Sequence, residues 1–250
     1  MIISVSGYAG SGKDTVGKII QLLNCYNTGS ITFEETIEDH VHHQWWIEAQ
    51  SGWAIKKWAG KLKTIASLLT GIPVEKFEDQ EFKKTNLGPE WNVLKMKPGK
   101  RQDGIFPKKV DMESVPMIVR DFLQKLGTDG LREGLHTNTW VNALMADYNC
   151  VPADRAPNGW DCSNWIITDT RFPNEANAVK NANGITIRVG RPGVTAVNAH
   201  PSETALDHWM FDYTIINDGD ISKLTKDVKQ ILLKEGLLQT EAHADHQTKN

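Results

Sequence analysis

This 250-residue chain lacks most of the features that would tie it to a membrane, a structural metal or a nucleic acid. No apolar run approaches the length needed to span a bilayer, and no signal peptide precedes the first apolar segment, so a cytoplasmic protein is expected. Its three cysteines, Cys25, Cys150 and Cys162, are widely spaced and form no CxxC pair. That argues against a disulfide framework or a cysteine zinc site and for reduced thiols. A net charge of −3 supplies no bulk attraction to nucleic acid. His40, His42 and His43 lie beside Glu38 and Asp39 but have no second ligand cluster, and they read as a solvated helix face. The surplus is in tryptophan. Of nine, Trp45, Trp46, Trp53 and Trp58 fall in one stretch and are expected to pack helices and core rather than stack bases.

The segment Gly7-Tyr8-Ala9-Gly10-Ser11-Gly12-Lys13-Asp14-Thr15 follows the apolar run Ile2-Ile3-Ser4-Val5. It precedes a helical pattern of Val16, Ile19, Ile20, Leu22 and Leu23. A buried strand, a glycine-rich turn and a helix are the context of a phosphate-cradling P-loop. Glycines let the backbone curl so that its N–H groups face phosphate oxygens, and the helix N-terminus and Lys13 add positive charge over them. The hydroxyl after the lysine is displaced by one place, because Asp14 intervenes before Thr15. Either residue can help to hold Mg²⁺, directly or through water, and the spacing leaves that choice open. A nucleoside triphosphate is therefore the expected ligand.

The length suits one α/β domain over residues 1–238, with insertions between about 34 and 150 and a polar, disordered tail at 239–250. Helical periodicity runs near 36–50 and 60–71, the second stopping at Gly71-Ile72-Pro73. From Glu75 to Ser114 the chain turns polar and irregular, as an inserted and partly mobile segment would, and Lys95, Lys97, Lys100 and Arg101 make a basic loop within it. A helix is expected around 115–126, a break at Gly127-Thr128-Asp129-Gly130, and a helix around 139–148. Asn164 to Asp169 reads as a strand with a helix after Pro173. Strands follow at 185–189 and 212–217, then a final helix over 221–233. Strands alternating with helices imply a parallel sheet wrapped on both faces, with ligands at the strands' C-terminal ends.

Asp169 ends a strand, where it can organise magnesium-bound water, contact a substrate, or cap the turn into the next helix. Arg171 follows it, Arg120 stands near the start of the expected helix, and Arg188 and Arg191 flank the end of the 185–189 strand. Arginines converging on a P-loop suit phosphoryl transfer, whose transition state needs positioning and charge neutralisation. No His-Arg-Asp loop is present to activate an alcohol. An acceptor phosphate needs no strong base, so a nucleotide kinase fits better than a sugar or protein kinase.

Several ordered blocks resemble one family, the deoxynucleoside monophosphate kinases of tailed bacteriophages. They are Gly7–Thr15; Trp58-Ala59-Gly60-Lys61-Leu62-Lys63; Arg120 to Asp129 with Trp140-Val141; Asp169-Thr170-Arg171-Phe172-Pro173-Asn174-Glu175; Arg188 to Pro192; His200-Pro201-Ser202-Glu203; and Ile216-Asn217-Asp218-Gly219. The resemblance implies a P-loop NTPase three-layer sandwich of the nucleoside-monophosphate-kinase kind, with helical substrate-binding and lid insertions. It implies transfer of the γ-phosphate of ATP to a deoxynucleoside monophosphate in the cytoplasm (the host's, for a phage protein), with Mg²⁺, without nucleic acid or membrane, and with homodimer formation left open. On this analogy Gly10, Gly12, Lys13 and Thr15 hold the ATP phosphates, Thr15 serves the magnesium, and the Asn217 turn flanks the ATP base. Asp14, Lys63, Arg120, Gly127, Thr128, Trp140, Asp169, Arg171 and Glu175 line the acceptor site, with Lys13, Arg120, Arg171 and Asp169 catalytic. Lys61 stands where the family carries proline, and the tryptophan-rich stretch before it has no counterpart. The alternatives are a P-loop kinase of another phosphorylated metabolite, such as phosphomevalonate or dephospho-coenzyme A, and a non-catalytic nucleotide switch.

Overall fold

The structure is a computed structural model that describes residues 1–27, 44–96, 112–148, 164–196 and 204–238. In chain order its elements are β1 (Ile2–Ser6), α1 (Lys13–Asn27), α2 (Gln44–Ser51), β2 (Trp53–Lys56), α3 (Gly60–Thr70), β3 (Val93–Met96), β4 (Met112–Val115), α4 (Val119–Gln124), α5 (Thr139–Met145), β5 (Asn164–Ile167), α6 (Pro173–Asn181), β6 (Ile185–Gly190), β7 (Tyr213–Ile216) and α7 (Ile221–Lys234). They fall into two compact units, one of Met1–Trp58 with Val141–Asn250 and one of Ala59–Trp140.

The first unit is built on a five-stranded sheet of order β2-β5-β1-β6-β7, every neighbouring pair parallel. Its apolar runs need cover on both sides, as a parallel sheet does. Ile3, Val5, Ile166, Ile187 and Ile215 turn to one face, where Val16, Ile19 and Ile20 of α1 and Leu224, Val228 and Leu232 of α7 meet them. The alternate positions Ile2, Trp165 and Ile167 turn to the other face, against Val141, Leu144 and Val179. This is the parallel sheet covered on both faces that the alternation of strands and helices implies, and it makes the α/β, P-loop-kinase-like fold that the resemblance implies. Four of the five strands were expected. β2 was not, and it is short, only four residues beside helical tryptophans.

The second unit has its own core of Ala66, Phe77, Leu87, Met117, Val119 and Phe122. The stretch expected to be irregular carries three short 3₁₀ turns (Val74–Glu78, Phe82–Lys84, Pro89–Trp91) and the antiparallel pair β3–β4. Phe77 meets Phe82 edge to face with centroids 6.0 Å apart, and Trp91 meets Phe122 likewise at 4.9 Å. These apolar residues follow no regular period, so the sequence pattern hides a core that the turns assemble. The helix expected from about 115 begins only at Val119, because Val115 ends β4. Instead of a break, Gly127–Gly130 lie inside a π-helical segment, Lys125–Glu133. Its wide turns leave carbonyls available: Trp140 Nε1 donates to Gly127 O at 2.9 Å and Thr139 Oγ1 to Leu131 O at 2.9 Å.

Among the described residues no helix is long and apolar enough to cross a membrane. The His40–His43 group, Lys97, Lys100, Arg101, Cys150, Cys162, the His200–Glu203 block and the 239–250 tail lie outside the described residues.

Candidate active site

All five parallel strands deliver polar residues to one edge of the first unit's sheet. β1 leads into the glycine loop, β2 into Lys57 and Trp58, β5 into Thr168–Arg171, β6 into Arg191, and β7 into Asn217. Because β1 pairs with β5 on one side and β6 on the other, the glycine loop opens from the middle of that edge.

The loop's shape follows from what surrounds it. Gly10 and Gly12 have φ of 82° and 101°, a region that L side chains rarely adopt. A Cβ on Gly12 would come within 2.5 Å of Asn217 Nδ2, and one on Gly7 within 2.5 Å of the Val189 carbonyl. Asn217 braces the loop from outside: its Nδ2 donates to Ser11 O at 2.9 Å and its backbone N to Gly190 O at 2.7 Å. Val16 N donates to Gly12 O at 2.9 Å in the first turn of α1. Lys13 is buried, and its Nζ donates to Tyr8 O at 3.3 Å.

Asp14 Oδ1 accepts a hydrogen bond from Thr168 Oγ1 at 2.7 Å and stands 3.5 Å from Lys57 Nζ. Burial by itself would raise the Asp14 pKa, but the Lys57 charge, the Thr168 hydroxyl and the Lys13 charge outweigh it and hold the carboxyl below its ordinary value. The group is therefore an anion at the mouth of the loop, next to Thr15. This donor set fits Mg²⁺, which keeps most of its waters and shares phosphate oxygens with one or two protein groups. Among the described residues no cluster of three His, Cys, Asp or Glu side chains competes for a metal.

Beside the loop, Asp169 Oδ1 accepts from Trp58 N at 2.8 Å, and Trp58 Nε1 donates to Thr170 Oγ1 at 2.9 Å. Ser4 Oγ of β1 donates to that same Thr170 oxygen at 2.7 Å. Glu175 is buried, and its Oε2 accepts from the backbone N–H of Arg171 at 2.8 Å and of Phe172 at 3.1 Å. The Asp169–Phe172 turn is thus fixed at both ends, with the half-buried Arg171 between.

In the first unit, then, Gly10, Gly12, Lys13, Asp14, Thr15, Asp169, Arg171, Glu175 and Asn217 come to one sheet edge. Arg188 pairs with Asp207 at 3.0 Å, and Arg191 is exposed. In the second unit Lys63 is buried and ion-paired with Glu78, Arg120 is exposed on α4, and Trp140 is buried against Gly127, next to Thr128. Sequence reasoning missed Lys57, Thr168 and the bracing role of Asn217. The signal for the first two was their position directly after short apolar strands.

The fold and the loop define the class: a P-loop-kinase-like α/β protein with its glycine loop at one sheet edge. The family model described as "Deoxynucleotide monophosphate kinase" matches residues 91–228, and the chain belongs to that family. Over 249 residues it is 23% identical to the "Deoxynucleoside-5'-monophosphate kinase" of Escherichia phage T5, covering 88% of this chain and 90% of that one. It is 32% identical over 114 residues to the "Deoxynucleotide monophosphate kinase" of Enterobacteria phage T4, covering 46% and 45% respectively. A protein of Acanthamoeba polyphaga mimivirus is 29% identical over 127 residues, 50% of this chain and 61% of that one. The matched stretches span less than two thirds of the T4 and mimivirus proteins.

Proposed function

We propose that this protein transfers the γ-phosphate of ATP to a deoxynucleoside monophosphate, giving the diphosphate and ADP, as a cytoplasmic enzyme with one kinase domain. The observation that carries this reading is the pairing, on one sheet edge, of a glycine loop ending in Lys13-Asp14-Thr15 with the Asp169–Arg171 turn held by Glu175. Family membership and the printed activities of the phage relatives support it.

In this reading the loop's N–H groups and the start of α1 bind the triphosphate, and Lys13 leaves the Tyr8 carbonyl to neutralise the migrating group. Asp14 and Thr15 would hold the magnesium of Mg·ATP, which neutralises charge on the phosphate oxygens. Arg171 compensates the acceptor phosphate, and Asp169 sits where it can contact the acceptor. Asn217 keeps the loop in its curled form. For Lys63, Arg120, Gly127, Thr128 and Trp140, acceptor binding is proposed on the resemblance alone.

The test is ADP formation from Mg·ATP with each deoxynucleoside monophosphate, each ribonucleoside monophosphate and no acceptor, beside Lys13→Ala. ADP with deoxynucleotides only, lost in Lys13→Ala, is the expected result. Equal ADP in every well would overturn it in favour of an ATPase or switch, and no turnover would point to another phosphorylated metabolite.

A further inference from the structure

Tyr8 is the first side chain of the glycine loop, and groups far away in sequence hold it. Its hydroxyl donates to Asp207 Oδ1 at 2.7 Å. The Arg188 guanidinium lies over its ring, 4.8 Å from the centroid, with the Phe211 ring 5.6 Å away. Arg188 also donates to Asp207 Oδ1 at 3.0 Å and to Ser6 Oγ, at the end of β1, at 3.2 Å. The backbone of Tyr8 faces the site: its carbonyl accepts from Ser11 N at 3.1 Å and from Lys13 Nζ at 3.3 Å. One residue thus joins an outer network of charge, hydroxyl and rings to the lysine that the phosphates need.

An exposed ion pair would carry little meaning. This one is different, because the Arg188 and Asp207 side chains are only 17% and 29% exposed and share a tyrosine hydroxyl and a cation–π contact. The Tyr8 pKa is raised, first by the hydrogen bond to Asp207 and then by burial, so the phenol stays a donor at neutral pH. The placement of Arg188 follows from the sheet. Ile185, Ile187 and Val189 turn to the α1–α7 face, so Thr186 and Arg188 take the opposite one, and Arg188 is paired in register with Ser6.

We propose that Asp207 and Arg188 are positioning residues for the phosphate loop, clamping Tyr8 so that its carbonyl presents Lys13 to the incoming triphosphate. The clamp rests on the nucleotide-kinase reading above, and it acts on the ATP side of the reaction alone. Preorganisation of this kind improves binding because the loop loses less freedom when the ligand arrives.

The test uses Tyr8→Phe, Asp207→Ala, the double variant and Arg188→Lys, with Mg·ATP and Mg·ADP binding followed by titration calorimetry, both Michaelis constants measured, and thermal melting as a control. Loss of the charge-assisted Tyr8–Asp207 hydrogen bond should weaken Mg·ATP binding about tenfold in Tyr8→Phe, and at least as much in Asp207→Ala, which also removes the Arg188 pair. The double variant should be no worse than Asp207→Ala alone, since that change already removes the Tyr8–Asp207 bond. The acceptor KM should stay at its wild-type value. Arg188→Lys keeps the charge but loses the forked, stacked geometry, so it should weaken Mg·ATP as well. Unchanged Mg·ATP binding in Tyr8→Phe and Asp207→Ala would overturn the clamp while leaving the kinase reading intact, as would equal losses in both Michaelis constants. Failure of the wild-type protein to bind any nucleotide would overturn both.

Discussion

Asp14 and Thr168 lie 154 residues apart, yet the Thr168 hydroxyl donates to the Asp14 carboxylate at 2.7 Å and ties the first turn of α1 to the end of β5. Thr168 is fully buried, so valine keeps its shape and removes only the donor. Thr168→Val should therefore fold normally and lower kcat/KM for Mg·ATP roughly tenfold, through loss of one charge-assisted bond. Lys57→Met should lift the Asp14 pKa towards its ordinary value, because the Lys57 charge is the largest of the influences that lower it. The acid limb of the kcat/KM profile should then move to higher pH. A profile that stays in place would remove Asp14 from the magnesium-binding role.

Gly12 gives a second, purely steric prediction. With φ at 101° and Asn217 Nδ2 only 2.5 Å from where a Cβ would sit, Gly12→Ala must distort the loop or push Asn217 off the Ser11 carbonyl. Strain at one such residue is on the order of 1–3 kcal/mol. Nucleotide binding should fall at least tenfold, and the same strain should lower the melting temperature by roughly a few degrees without unfolding the sheet. Calorimetric titration with Mg·ATP and a melting curve on the same sample check both halves.

What the sequence disclosed and what it hid divide along physical lines. β1, β5 and β6 announce themselves because a strand buried on both faces must be a short apolar run, the edge strand β7 by its run of Tyr213-Thr214-Ile215-Ile216, and the glycine loop because a curled backbone needs its glycines. β2 has only Trp53-Ala54-Ile55-Lys56 and merges into a tryptophan-rich stretch that reads as helix. A π-helix has no sequence period of its own, so Lys125–Glu133 looked like a glycine break. At the site, Lys13, Asp14 and Asp169 were legible from their places after strands, whereas the Tyr8–Asp207 bond spans 199 residues and no local pattern foretells it. Arg188 was expected among the arginines near the loop, and strand alternation sets it over the Tyr8 ring and against Asp207, a pairing no local pattern signals.

Asp212 governs the acid side of stability. Its carboxylate accepts from the backbone N and the hydroxyl of Thr186, at 2.8 and 2.9 Å, and pairs with Lys180 at 2.8 Å, fastening the start of β7 to β6 and α6. Burial opposes its ionisation, but the Lys180 and Thr186 hydrogen bonds more than reverse this, so the folded-state pKa lies below the ordinary value. Its stabilisation is therefore full above the unfolded-state pKa of about 3.9 and is lost as pH falls through the lower folded value. Asp212→Asn should cost on the order of 1 kcal/mol at pH 7 after solvent screening, and the gap should close at strongly acidic pH. Urea melts of both proteins at pH 7 and pH 3 measure it; a gap that widens in acid would reverse the sign argued here.

Glu175 and Arg171 make the sharpest separation of acceptor from donor. The buried Glu175 carboxylate receives the N–H groups of Arg171 and Phe172, so it shapes the turn from which the Arg171 side chain departs. Arg171→Met should raise the acceptor KM by tenfold or more and leave Mg·ATP binding within about twofold, since the loss falls on a phosphate contact to one substrate. Glu175→Ala orphans two backbone donors at about 1–3 kcal/mol each, and should combine the acceptor defect with a lower melting temperature. Glu175→Gln keeps a carbonyl oxygen able to accept both N–H groups without the charge, so it should recover much of the stability and part of the acceptor affinity. If Arg171 acts only through the turn that Glu175 fixes, adding Arg171→Met to Glu175→Ala should deepen the acceptor defect by less than the two single effects combined. Full additivity, or an equal rise in both Michaelis constants, would show that the turn does not present Arg171 to the acceptor.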